Sequence, residues 1–246
     1  MESPLAWSLL FGAAAAAANV AGGLAVVARP HWNEMFLKYF LGLGAGFMLA
    51  ATFLRMLPES LKLTPHAPAL FLGGYFLVHF FEHTVAPHFH FGEESHDDVM
   101  MNPAVGFSAL AGLSIHTFFD GVSIASGFLV SVPLGLLIFC AVILHKIPEG
   151  VTVASIALAS GQGKRGAMGA AFVLAGATIA GVLGMHQFER AVSYALPFSA
   201  GVTLYVAATD LMPEVNEERG IRMTLVVFLG VALFWATERA LDLALS

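Results

Sequence analysis

The chain is short of almost everything a water-facing surface needs. Charged residues are 11% of its 246 residues, against about 25% in an ordinary soluble domain. A large core cannot explain that deficit, because a soluble chain of this size still presents a polar exterior. A low-polarity solvent around the outside can. Cysteine is nearly absent. Cys140 is the single one and sits in an apolar run, which excludes an internal disulfide and a thiolate zinc site. Basic residues are scarce as well: 11 Lys and Arg against 17 Asp and Glu give a formal net charge of −6. Nucleic acid selects basic surfaces, so no nucleic-acid partner is expected. No basic stretch precedes the first apolar run, which therefore reads as a span and not as a cleavable leader.

What is present is apolar and long. Hydrophobic residues make up 58% of the chain, with mean hydropathy +0.79. A helix needs about 20 largely apolar residues to cross the hydrocarbon of a lipid bilayer. Spans are expected near 5–28, 34–57, 66–83, 102–127, 131–160, 164–185, 190–214 and 222–244. The expected fold is all-α: a polytopic membrane protein of eight transmembrane helices in one domain, residues 1–246. Pro103 and Pro133 stand near the starts of two spans, where a missing N–H costs nothing. Loops are punctuated by Arg29-Pro30, Pro58-Glu59, Gly161 to Arg165 and Arg219-Gly220. The many Gly, Ala and Ser residues within spans suit close helix packing, which in lipid rests on van der Waals contact.

One connection differs. The segment 83–101 carries His83, His88, His90 and His96 with Glu93, Glu94, Asp97 and Asp98. It is polar and without periodicity, the mark of a mobile loop that either captures metal or is simply solvated. Positive charge gives an orientation. With both termini outside, the inner loops hold Arg29, Lys38, Lys164, Arg165, Arg219 and Arg222, and the outer side Arg55, Lys62, Arg190 and Arg239. The inner excess favours termini outside.

Two internal repeats organise the chain. Ala45 to Leu49 and then Leu57-Pro58-Glu59 align with Ala200 to Leu204 and then Met212-Pro213-Glu214 at a constant offset. Spans so related run in opposite directions, giving an inverted repeat of spans 1–3 and 6–8 around spans 4 and 5. Such repeats are a recurrent plan of secondary transporters, with the site near the midplane. The second repeat is sharper. His116-Thr117-Phe118-Phe119-Asp120-Gly121-Val122 aligns with His145-Lys146-Ile147-Pro148-Glu149-Gly150-Val151.

Positions i and i+4 lie one turn apart on one helix face. His116 with Asp120, and His145 with Glu149, can each converge on a point. Two imidazoles and two carboxylates suit zinc and other borderline first-row cations. An ionisable group at the bilayer centre costs at least about 2.5–3.5 kcal/mol on insertion scales, so these residues need a partner there, and a bound dication supplies one. Pro148 should kink its helix beside His145 and free the Leu144 carbonyl. Lys146 is a cation beside a cation site, and compensates the surplus carboxylate when metal is absent. His79 reads as a packed, hydrogen-bonded histidine and His186 as a loop residue. Asp210 and Glu214 read either as interface caps or as part of the path.

The two cassettes resemble those of the ZIP family of divalent-metal transporters. So do Leu196-Pro197-Phe198-Ser199-Ala200-Gly201 and Asp210-Leu211-Met212-Pro213-Glu214 in the seventh span, the histidine-bearing third loop and the count of eight spans. The resemblance implies uptake of zinc or a related ion into the cytoplasm. It further implies elevator-like alternating access, termini outside, a plasma or inner membrane location and a homodimer. It makes His116, Asp120, His145 and Glu149 the transport-site ligands, brings Met48 to the site and puts Asp210 on its exit side. Some members hold two metals. They have an aspartate where this chain has Lys146, an asparagine where it has Thr117, and a glutamate in the sixth span. These departures point to a single-ion site, with the Lys146 ammonium in place of the second ion. The ligand set alone leaves iron, manganese and cadmium open beside zinc. It also leaves two other functions: a membrane-embedded zinc hydrolase, disfavoured because no His-Glu-x-x-His is present, and a proton-coupled carrier of another substrate. No enzyme activity is expected.

Overall fold

The computed structural model describes residues 3–28, 34–84, 103–218 and 220–245. The described residues are almost entirely helical. Eight long helices follow one another: α1 Pro4–Ala28, α2 Met35–Leu63, α3 Ala67–Thr84, α4 Pro103–Val130, α5 Val132–Ala159, α6 Gly163–Gln187, α7 Glu189–Asn216 and α8 Ile221–Leu245. Seven are long and apolar enough to cross a membrane. The exception is α3, only 18 residues long, whose last two turns carry His79, Glu82 and His83.

Polarity is distributed as lipid requires. Large apolar side chains point outward, with Phe107 61% and Phe228 64% exposed, while His116, Asp120, His145, Lys146 and Glu149 are each 2% exposed or less. A water-soluble domain does the reverse. The chain is an integral membrane protein.

Pro58-Glu59 is not a loop. Helix α2 runs on through it to Leu63, because the turn before the proline is a π segment, Thr52–Met56. Proline cannot donate to the carbonyl four residues back. That carbonyl, of Leu54, falls inside the widened turn, in which the Leu57 N–H reaches back five residues to the Thr52 carbonyl. Helix α7 repeats the device: Pro213 follows the π segment Val206–Leu211, and its missing bond would have gone to Thr209.

The aligned helices also pack alike. Helices α2 and α8 cross at Gly46 and Gly230, where a Cβ would collide with the Val227 and Leu43 carbonyls respectively. Helices α7 and α3 cross at Gly201 and Gly74, against the Phe71 and Phe198 carbonyls. Gly46 aligns with Gly201 at the offset that aligns Pro58 with Pro213. Around the centre, α1 meets α5 at Gly22 and Gly150, and α6 meets α4 at Gly181 and Gly121. Helices α1, α4, α5 and α6 thus form one bundle. The pairs α2/α8 and α3/α7 flank it, through α2 on α5 and α7 on α4.

Candidate metal centre

Ser131 alone separates α4 from α5. It accepts from Leu134 N–H as the N-cap of α5, with Pro133 in the first turn. The tight reversal lays the two cassettes side by side near the middle of their helices. Glycines 121 and 150 then let α6 and α1 close over the far sides.

One ligand atom each from His116, Asp120, His145 and Glu149 lie within 4.8 Å of one another. The pairing runs between helices. His116 Nε2 is 3.1 Å from Glu149 Oε1, and His145 Nε2 is 3.3 Å from Asp120 Oδ2. His145 Nδ1 faces the Ala141 carbonyl at 3.3 Å. His116 Nε2 is buried and makes no aligned hydrogen bond.

Lys146 fills the carboxylate side. Its Nζ lies 2.7 Å from Asp120 Oδ2 and 2.5 Å from Glu149 Oε2, with Thr117 Oγ1 at 3.4 Å. The Thr117 hydroxyl in turn donates to Glu149 Oε1. The cassette therefore holds its carboxylates with the chain's own cation while leaving the imidazoles turned to the shared point. Helix α5 passes through Pro148 unbroken.

Sequence reading missed Asn19. It is fully buried in α1 and faces two acceptors, the Lys146 carbonyl and Glu149 Oε2. An amide between two acceptors turns its nitrogen to them, placing that nitrogen 2.6 Å and 3.3 Å away. The available signal was a lone amide in a span otherwise made of small and apolar residues.

Other sequence candidates lie elsewhere. Met48 is fully buried in an apolar cluster with Ala45, Leu137, Ala141 and Phe234. Asp210 is no cap at a helix end: it is buried within the π segment of α7. On the same helix, the Tyr205 hydroxyl donates to Glu82 of α3 at 2.8 Å. The offset that aligns the prolines pairs Asp210 with Arg55, which meets Glu238 at 3.4 Å. One half of the chain thus has a paired cation where the other has a buried carboxylate. Glu214 joins Glu217 and Glu218 around Lys38, at 3.8, 3.4 and 2.9 Å.

His79 is exposed on the flank of α3 and stacks near His83, ring centroids 4.1 Å apart. Its ring also lies edge-on to Tyr205 of α7, centroids 6.1 Å apart. His186 is not in a loop but in the last turn of α6, bonded to Glu189 at 2.9 Å. His83 lies in the last turn of α3, and His88, His90 and His96 lie outside the described residues.

A family model described as ZIP zinc transporter matches residues 92–237, more than half of the chain. A zinc transporter ZIP13 homolog of Drosophila melanogaster is 34% identical over 139 residues, covering 52% of this chain and 39% of that protein. Zinc transporter ZIP13 of Homo sapiens is 30% identical over 145 residues, with the same coverage of 52% and 39%. Zinc transporter SLC39A7 of Mus musculus is 31% identical over 137 residues, covering 51% and 29%. The chain spans about two-fifths of the length of the ZIP13 relatives it matches. With the family model across both cassettes, the chain belongs to the ZIP family of zinc transporters.

Proposed function

We propose that this protein is a secondary transporter that carries divalent metal, zinc foremost, into the cytoplasm by alternating access, holding one ion at a time between α4 and α5. The ligands are His116, Asp120, His145 and Glu149. The observation that carries this reading is the buried quartet within 4.8 Å. Two imidazoles and two carboxylates match the four-coordinate preference of zinc. The absence of thiolate leaves affinity low enough for release.

Single occupancy follows from charge. Two carboxylates and the Lys146 ammonium sum to one negative charge, which one dication already reverses. A second would be buried against an uncompensated positive excess, at high cost in low dielectric. Lys146 and Thr117 thus act as permanent substitutes for a second ion and its ligand. Iron, manganese and cadmium are competing cargoes. Met48 reaches the ion from α2 in another stage of the cycle. Asp210 receives it on the exit side, and His83, His88, His90 and His96 hold metal in the third loop. The protein works as a homodimer in a plasma or inner membrane with both termini outside, the orientation that the inner excess of Lys and Arg favours.

Zinc uptake into proteoliposomes, with metal counted per chain, tests the reading. Uptake that vanishes in His116→Ala and Glu149→Ala, with one zinc per wild-type chain, is expected. Two tightly held ions at the cassettes, or hydrolysis without metal movement, would sink it.

A further inference from the structure

Asn19 has no place in the ligand quartet, yet it is the polar residue of α1 that reaches the site. Ser8, the other buried polar residue of that helix, is satisfied locally by the Pro4 carbonyl at 2.7 Å. Asn19 has no such local partner. Its amide spans the gap to α5 at the Gly150 crossing, where its own carbonyl blocks any Cβ on Gly150. The donor is consequently fixed from both ends: backbone to backbone at Gly150, and amide to the Lys146 carbonyl at 2.6 Å.

The two carboxylates are held differently. Glu149 Oε2 takes Lys146 Nζ at 2.5 Å and the Asn19 amide at 3.3 Å. Its Oε1 takes the Thr117 hydroxyl and lies 3.1 Å from His116 Nε2. Two N–H donors therefore occupy one oxygen of Glu149, and only the other faces the imidazoles. Lys146 alone would not enforce this, since its ammonium sits on a flexible stem and is shared with Asp120. Asn19 is short, buried and anchored on the main chain.

We propose that Asn19 is a positioning residue that restricts Glu149 to one-oxygen ligation and thereby sets the preference for zinc over oxygen-seeking cations. The inference rests on the quartet being the ion site. Zinc accepts four ligands in a tetrahedron, one oxygen from each carboxylate. Manganese favours six oxygen-rich positions. A Glu149 free to rotate and offer both oxygens raises the coordination number and narrows the difference between them.

The test is equilibrium competition between zinc and manganese on the purified full-length protein in detergent. Asn19→Ala is expected to weaken zinc binding about tenfold, the low end for loss of an outer partner of a ligand, and to leave manganese binding unchanged or tighter. The zinc-to-manganese ratio then falls about tenfold. An unchanged ratio overturns the proposal, whether both affinities drop together or neither moves. Should Asn19→Ala not purify as a monodisperse species, Asn19→Ser keeps a hydroxyl donor and should give an intermediate ratio; a wild-type ratio there overturns the proposal equally. His116→Ala is measured alongside. Full zinc binding in that variant would sink the site assignment itself, a different result from an unchanged ratio in the Asn19 series.

Discussion

His116 stands 3.1 Å from Glu149, a partner on the neighbouring helix. His145 is matched with Asp120 in the same crossed manner at 3.3 Å. Each cassette is thus completed by the other. Removing any one residue exposes a partner on the opposite helix, which is why the quartet should fail as a unit and not in halves.

Lys146 should matter most when the site holds no metal. Lys146→Met keeps much of the volume but leaves Asp120 and Glu149 without their 2.7 and 2.5 Å partner. Breaking a buried ion pair on one side costs about 3–5 kcal/mol. Metal-free Lys146→Met should therefore melt well below wild type in detergent. Saturating zinc should recover most of the difference, because the dication neutralises the same oxygens. Thermal shift with chelator and with zinc checks both halves.

Thr117→Val deletes a hydroxyl that donates to Glu149 while keeping the shape. Loss of such a second partner of a ligand typically lowers metal affinity 10–100-fold, so a fall of about tenfold or more in zinc affinity is expected. Isothermal titration on the purified variant measures it.

The glycine crossings predict a sharp contrast. A Cβ at Gly121 would collide with the Thr178 carbonyl, whereas Gly169 and Gly176 have nothing within 4 Å. Backbone cannot step aside as a side chain can, and overpacking of this kind costs about 1–3 kcal/mol or more. Gly121→Ala should lose folded yield and thermal stability, while Gly176→Ala should match wild type. Parallel purification and melting compare them.

Asp210 is expected to act on movement and not on holding. It contributes no atom to the buried quartet, but it is a carboxylate buried in the π segment of α7, the helix that packs on α4. Asp210→Asn should keep one zinc per chain and slow uptake several-fold. Metal content and initial uptake rate, measured on the same preparation, separate the two effects.

Much of this was legible in the sequence for a physical reason. Lipid demands long apolar runs, so the helices declare themselves, and a strict repeat of His and carboxylate at i and i+4 has few uses in such a setting. Span limits agreed with the helices within a few residues except at Pro58. There the π segment carries the helix through a residue that ordinarily stops one, and hydrogen-bond register is not written in composition. Crossed pairing was hidden because i and i+4 spacing reports one helix face, while the pairing depends on how two faces meet. Asn19 was hidden for the same reason: its role exists only because Gly22 and Gly150 bring α1 against α5. Asp210, four residues inside the expected end of its span at 214, read either as an interface cap or as part of the path, because composition does not show that the π segment buries it.

Ser131 has a mechanical meaning beyond its cap. A single residue joins α4 to α5, so the ligand-bearing helices have no slack along their shared end. At that end their separation is set by covalent reach, as two blades are held by a rivet. The bundle of α1, α4, α5 and α6 meets the other described helices chiefly through α2 against α5 and α7 against α4, so those two faces are where a movement of the clamp against its flanks would be felt.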